Sequence, residues 1–176
     1  ERIEQELPGE IRVAVIGRPN IGKSTLVNRL VGEVRHVVHD APGTTMDAVD
    51  SVVEVDGQTW RIVDTAGIRR KARIDDRVET FATLRAIRTI ERCHVVLLML
   101  DGREGPTVQD ARLAALVTDR RRACIILVNR WDEVRQDPER NARVLEDEMD
   151  QALPHLRWAP ELYISALTGK GAHRIL

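Results

Sequence analysis

Aromatic residues are scarce: three tryptophans, one tyrosine and one phenylalanine make up 3% of 176 residues. That excludes a nucleic-acid-binding sheet of the kind that stacks bases on rows of aromatic rings. The two cysteines, Cys93 and Cys124, supply neither a disulfide framework nor the ligand spacing of a zinc site. Both adjoin apolar runs and read as core cysteines of a reducing compartment. No apolar run approaches the roughly 18 residues of a membrane span. The longest, Val95–Leu100, has the length of a strand. Net charge is lacking too: 27 Lys and Arg against 28 Asp and Glu leave −1, so any surface for nucleic acid or membrane must be a local patch. The five histidines fall at no metal-ligand spacing. The opening Glu-Arg-Ile-Glu-Gln-Glu is no signal peptide, and the chain reads as cytoplasmic.

What is present is globular composition, 43% hydrophobic and 31% charged, at the length of one domain. Residues 1–10 are polar, carry Pro8-Gly9 and read as a linker tail; residues 11–176 read as the domain. Strands are expected at Ile11–Ile16, Ala48–Val55, Thr59–Val63, Val95–Leu100, Cys124–Val128 and Leu162–Ile164. Asp56-Gly57 signals a two-residue hairpin between the second and third. Helices are expected at Thr25–Val31, Val78–Arg92, Thr107–Thr118 and Pro138–Leu153, with Pro138 in the first turn of the last. Fully apolar strands alternating with helices predict an α/β fold in three layers, with a mostly parallel six-stranded sheet and one antiparallel edge strand. A helix starting near Gly171 would be cut short at Leu176, so the chain reads as a fragment of a longer protein.

The chemistry concentrates in short segments at strand ends. Gly17-Arg-Pro-Asn-Ile-Gly22-Lys23-Ser24 is a P-loop, placed after a strand and opening a helix. Its glycines let backbone N–H groups turn inward onto phosphate oxygens, and the helix N-terminus adds a favourable dipole. Lys23 is expected to reach the β- and γ-phosphates, and the Ser24 hydroxyl to ligate Mg²⁺, with Gly17, Asn20, Ile21, Gly22 and Thr25 completing the nucleotide contacts. Asp64, ending a strand in Asp64-Thr-Ala-Gly67, is placed to hold Mg²⁺ through a water, and the Gly67 N–H to meet a γ-phosphate.

Asn129-Arg130-Trp131-Asp132, after an apolar strand, resembles the NKxD base-reading motif of GTPases, with Arg130 where Lys is usual. The resemblance implies an Asp132 carboxylate accepting from N1 and N2 of guanine, and an Arg130 guanidinium stacking on the base. Ser165-Ala166-Leu167 resembles the loop whose backbone supports guanine O6. Pro42-Gly-Thr-Thr-Met-Asp47 resembles the first switch loop of the TrmE–Era–EngA group. Asp64-Thr-Ala-Gly-Ile-Arg-Arg-Lys71, with the stretch from Val78 to Thr107, resembles the second GTPase domain of the Der/EngA family. That resemblance spans nearly the whole chain. It implies a Ras-like P-loop fold, GTP, GDP and Mg²⁺ as cofactors, companion GTPase and KH-like domains outside this chain, and a part in assembling the large ribosomal subunit through that subunit or its RNA.

Ile68 stands where many GTPases place a water-orienting glutamine. By resemblance, Asn20 would help hold a K⁺ ion beside the phosphates and Thr45 would ligate Mg²⁺; the lesser alternatives are an Asn20 that only tightens its loop and Thr44 as the ligand. Glu79 either positions water or is simply a favourable acid in a helix's first turn. Arg69, Arg70, Lys71 and Arg73 are either a solvated face or an RNA or interdomain contact. The expected activity is a Mg²⁺-dependent, K⁺-stimulated GTPase with Lys23, Asn20, Thr45 and Gly67 at the reacting phosphate. The alternative is a nucleotide-gated binding module that hydrolyses only when a partner triggers it. Asp132 argues against a third possibility, an ATPase.

Overall fold

A computed structural model describes residues 9–33, 50–65 and 79–175. The strands are β1 (Ile11–Ile16), β2 (Ser51–Val55), β3 (Gln58–Val63), β4 (Val95–Asp101), β5 (Ala123–Asn129) and β6 (Glu161–Tyr163). The helices are α1 (Lys23–Glu33), α2 (Glu79–Glu91), α3 (Val108–Asp119), the short α4 (Trp131–Val134) and α5 (Ala142–Ala152). The six strands form one sheet in the order β2-β3-β1-β4-β5-β6. All pairs are parallel except the β2–β3 hairpin. That hairpin turns on Asp56 and Gly57, at φ +51° and +79°, the two positive values a two-residue turn needs to match strand twist.

Alternation along β1 assigns the two faces. Ala14 and Ile16 point into a core with Ile90 of α2, Ala114 and Val117 of α3, and Leu145 and Met149 of α5. Val13 and Val15 point the other way, into a core with Leu26, Val27 and Leu30 of α1 and, from the last turn of chain, Ala172 and Ile175. Leu26 and Val27 are fully buried, and each such side chain contributes about 1.5–3 kcal/mol. Cys93 and Cys124 are buried as expected, and burial pushes their thiols up to about 11 and about 12.

Boundaries differ from expectation where a side chain captures the backbone. Residues 138–141 are not helical. Asp137 Oδ1 accepts from Glu139 N (2.9 Å) and folds a turn, and Asn141 caps α5 by accepting from Val144 N (3.1 Å). Thr107 is the cap of α3, not its first residue, reciprocating with Asp110 in a capping box. After Gly171 the chain makes a single 3₁₀ turn, Ala172–Arg174. Residues 1–8, most of the expected linker tail, lie outside the described residues.

Candidate functional site

All the parallel strands end at one edge of the sheet, and the motifs sit on the loops that leave it. β1 passes into the P-loop at Gly17, where φ is +152° and a Cβ would lie 2.5 Å from Ile21 Cδ1 and 2.6 Å from the Met99 carbonyl. Asn20 takes a left-handed conformation at φ +62°. Gly22, at φ +103°, lets the chain pass Asn129, whose Nδ2 would be 2.5 Å from any Cβ there. α1 then starts at Lys23, which brings its N-terminal turn beside the loop. The Lys23 ammonium donates to the Arg18 carbonyl, across the mouth of the loop.

The P-loop opens onto a cleft of about 700 Å³ lined by Gly17, Asn20, Lys23, Ser24 and Thr25, by Asp64, and by side chains of α2 and α3. Asp64 and the phosphate-binding residues thus share one cavity. Asp64 itself is paired. Arg85 of α2 grips its carboxylate with two bonds of 2.6 Å, and Thr89 Oγ1 donates to it at 3.3 Å. These bonds hold the Arg85 guanidinium above its usual pKa despite partial burial. The Asp64 amide donates to Asp50 Oδ1 (2.8 Å), whose other oxygen receives Arg92 Nη2 (2.9 Å). Arg85 and Arg92 share a helix face by spacing, and here they anchor α2 to the ends of β3 and β2. Arg18 forms ion pairs with the fully buried Asp110 (3.0 Å) and with Glu104 (2.8 Å), fastening the P-loop to the cap of α3.

The base-reading residues assemble on the other side of the P-loop. Asn129, 4% exposed, donates Nδ2 to the Ile21 carbonyl (2.7 Å) and accepts from the Ala166 amide (2.8 Å). One buried side chain therefore ties the P-loop to the loop after β6. Ser165 supports that loop by accepting from the Thr168 amide at 3.2 Å. Arg29 of α1 donates to the Ala166 carbonyl (2.9 Å) and the Leu167 carbonyl (2.5 Å). Asp132 lies in the first turn of α4, whose Trp131 amide donates to the Ile164 carbonyl (3.0 Å) and whose Trp131 ring lies 4.6 Å from the Tyr163 ring.

Arg130, expected to stack on a base, meets protein oxygens in this structure. Its backbone is left-handed at φ +63°, and its guanidinium bonds the Asn20 carbonyl (3.0 Å) and lies 3.4 Å from Asp101 Oδ2. A forked cation finds two oxygens there, one of them on a buried carboxylate. Burial works against the Asp101 charge, but bonds from the Arg103 side chain and amide and the Arg130 charge outweigh it and hold the carboxyl below its usual range. Among the described residues no cluster of three or more His, Cys, Asp or Glu is arranged to hold a metal. Ser24 and Asp64 instead offer a hydroxyl and a carboxylate to one cleft, the sparse donor set that suits Mg²⁺ when phosphates complete its shell. Thr44, Thr45, Gly67, Ile68 and the basic run at Arg69–Arg73 lie outside the described residues. Sequence spacing did not reveal Arg18, Arg29 or Arg85 as parts of the site, because each acts across elements distant in sequence.

Comparison with known proteins agrees with this geometry. Residues 12–130 match the family model described as 50S ribosome-binding GTPase. The chain is 49% identical over 168 residues to GTPase Der of Synechococcus sp. (strain JA-3-3Ab), covering 96% of this chain and 37% of the relative. It is 47% identical over 173 residues to GTPase Der of Syntrophobacter fumaroxidans, covering 98% of this chain and 39% of that one. It therefore spans under two-fifths of the length of these relatives. Among solved structures, Era in complex with MgGDPNP and a piece of 16S ribosomal RNA superposes with a TM-score of 0.66 at 26% identity, over 92% of this chain and 52% of that one. Matched over residues 12–130 by that family model, the chain belongs to the 50S ribosome-binding GTPase family and is a Ras-like P-loop GTPase domain similar to those of GTPase Der.

Proposed function

We propose that this domain is a guanine-nucleotide switch, hydrolysing GTP to GDP and phosphate with Mg²⁺ and K⁺, within a protein that acts in assembly of the large ribosomal subunit. The observation that carries this reading is the Asn129 tie, which joins the Ser165–Leu167 loop to the same P-loop that carries Lys23, at the head of the motif that ends in Asp132. An adenine in that place would leave the Asp132 carboxylate without donors, and an unmatched buried polar group is costly.

In the working site, Lys23 leaves the Arg18 carbonyl for the β- and γ-phosphates, and P-loop amides from Asn20 to Thr25 hold the phosphate oxygens. Ser24, Thr45 and, through water, Asp64 are the Mg²⁺ ligands. When bound, Mg²⁺ supplies charge neutralisation on the phosphoryl oxygens. Asn20 holds K⁺ at the mouth of the loop, where a cation offsets developing charge that no glutamine at Ile68 can help manage. Gly67 contributes its amide to the γ-phosphate, so loss of that phosphate releases the loop.

The ribosomal part of this reading is supported by the family to which the chain belongs and by its Der relatives. Those relatives extend well beyond the matched region, in keeping with companion GTPase and KH-like domains and with residues 1–10 as a linker. No helix among the described residues is long and apolar enough to cross a membrane, and a cytoplasmic place beside the ribosome is the proposal.

A second reading, a binding module gated by nucleotide and silent until a partner triggers it, is favoured by Ile68 alone. The test is GTP turnover in K⁺ against Na⁺ at equal ionic strength, with Asn20→Ala alongside. Turnover raised by K⁺ and lost in the variant supports the self-timed switch; equal, negligible turnover in both overturns the K⁺ role and favours the gated module.

A further inference from the structure

Arg29 sits six residues beyond Lys23 on α1, outside the phosphate-binding turn. Its guanidinium lies half-buried against the loop that follows β6. Nε donates to the Ala166 carbonyl at 2.9 Å and Nη2 to the Leu167 carbonyl at 2.5 Å. Gly169 packs on it: the glycine is at φ +84°, and a Cβ there would lie 2.7 Å from Arg29 Nη1. Two carbonyls side by side suit a planar fork, and an ammonium could not span them in one geometry.

The consequence follows from peptide geometry. Carbonyl and amide of a trans peptide point in opposite directions. Holding the Ala166 carbonyl therefore fixes the direction of the Leu167 amide, on the side away from α1. The preceding amide, that of Ala166, is fixed by Asn129. Two successive peptides are thus pinned by side chains from two different elements, β5 and α1.

We infer that Arg29 is a positioning residue for base selection. It aims the backbone amide of Leu167 at the 6-oxo group of the purine, while the 2-amino group falls to Asp132 on a separate element. This rests on the guanine reading above. It separates the two ends of the base: loss of Arg29 weakens recognition of the 6-oxo group and leaves recognition of the 2-amino group intact.

The experiment measures dissociation constants of the whole chain for three diphosphates. These are GDP, inosine diphosphate (6-oxo group, no 2-amino group) and the diphosphate of 2-aminopurine riboside (2-amino group, no 6-oxo group). Arg29→Ala is expected to weaken GDP and inosine diphosphate by about tenfold, the loss of roughly one hydrogen bond, and to leave the 2-aminopurine compound within about twofold. Arg29→Lys, which keeps the charge without the fork, is expected to follow Ala. Gly169→Ala, which presses a methyl on the guanidinium, is expected to show the same selective loss and serves if Arg29→Ala melts. An equal loss for all three ligands, or no loss, overturns the inference. A wild-type chain that binds GDP no better than the 2-aminopurine compound overturns the guanine reading itself, a distinct result.

Discussion

The two halves of the nucleotide site are held by different kinds of force. At the base end, Asn129 and Arg29 bond main-chain groups of the P-loop and of the loop after β6, in contacts that a docked base does not need to displace. At the phosphate end, the charged groups that would meet phosphate and metal are engaged with one another's neighbours. Lys23 rests on the Arg18 carbonyl and Asp64 on Arg85. Specificity is thus built into the resting fold, whereas the reactive end is assembled by exchanging partners. A switch needs both: a base that holds the ligand in register throughout, and a phosphate end whose contacts depend on what is bound.

Breaking the base end should cost most. Asn129→Ala removes the shared partner of the buried Ile21 carbonyl and Ala166 amide. At about 1–3 kcal/mol for each of the two orphaned groups, a loss of roughly 2–6 kcal/mol in urea unfolding is expected, with guanine nucleotide binding lost alongside. At the phosphate end the fold should be spared. Lys23→Ala is expected to weaken GDP binding at least about 100-fold by titration calorimetry, since it removes a charge-assisted phosphate contact, while the unfolding midpoint stays near wild type. A retained affinity would sink the assignment of this loop to phosphate.

The exchange of partners at Asp64 is open to a finer test. The Arg85 side chain is 41% exposed and the Asp64 side chain 15%, so solvent discounts their ion pair to about 1 kcal/mol or less. Arg85→Ala should therefore lower the Mg²⁺ concentration needed to slow release of fluorescent GDP by no more than about fivefold. A rise instead of a fall would mean that Arg85 supports the metal ligand and does not compete for it.

The smallest effect concerns the sheet on which both ends rest. The thiols of Cys93 and Cys124 are raised by burial to about 11 and about 12, above their values in an unfolded chain. The folded state therefore keeps protons that the unfolded state gives up. Their contribution is complete below about pH 9, the unfolded value, and fades as pH rises through 11 to 12. At pH 8 a thiol reagent should label neither cysteine until urea is added.

Elements that bury whole apolar runs, such as β4 and β5, were legible in the sequence, and so was the Asp56-Gly57 hairpin, because period and turn chemistry are local properties. The strand-end motifs are local in the same way, and Lys23, Ser24 and Asp64, named from them, line one cleft. The start of α5 was not legible, because Asn141 and Pro138 are both acceptable near a helix start and only the turn on Asp137 decides between them. Nor were the arginines. Arg29, Arg85 and Arg130 look alike as surface charges, and their partners are 137, 21 and 110 residues away along the chain. Which carbonyl or carboxylate captures a guanidinium is a matter of tertiary distance, and the Asn20 carbonyl and Asp101 that Arg130 meets lie on other elements.

The contact between Trp131 and Tyr163 gives the domain an optical property. The chain has one tyrosine, and its ring lies 4.6 Å from the Trp131 indole, close enough to hand over nearly all its excitation. Tyr163 should be dark and Trp131 should carry its light. Trp131 is also bonded through the chain to Asp132, beside which the base would dock. Trp60 and Trp158 absorb in the same band, so the light of this pair is read as the difference between the wild type and a Trp131→Phe variant. The fold thereby carries a native fluorophore at its base-reading end, able to follow arrival and departure of a nucleotide without a dye.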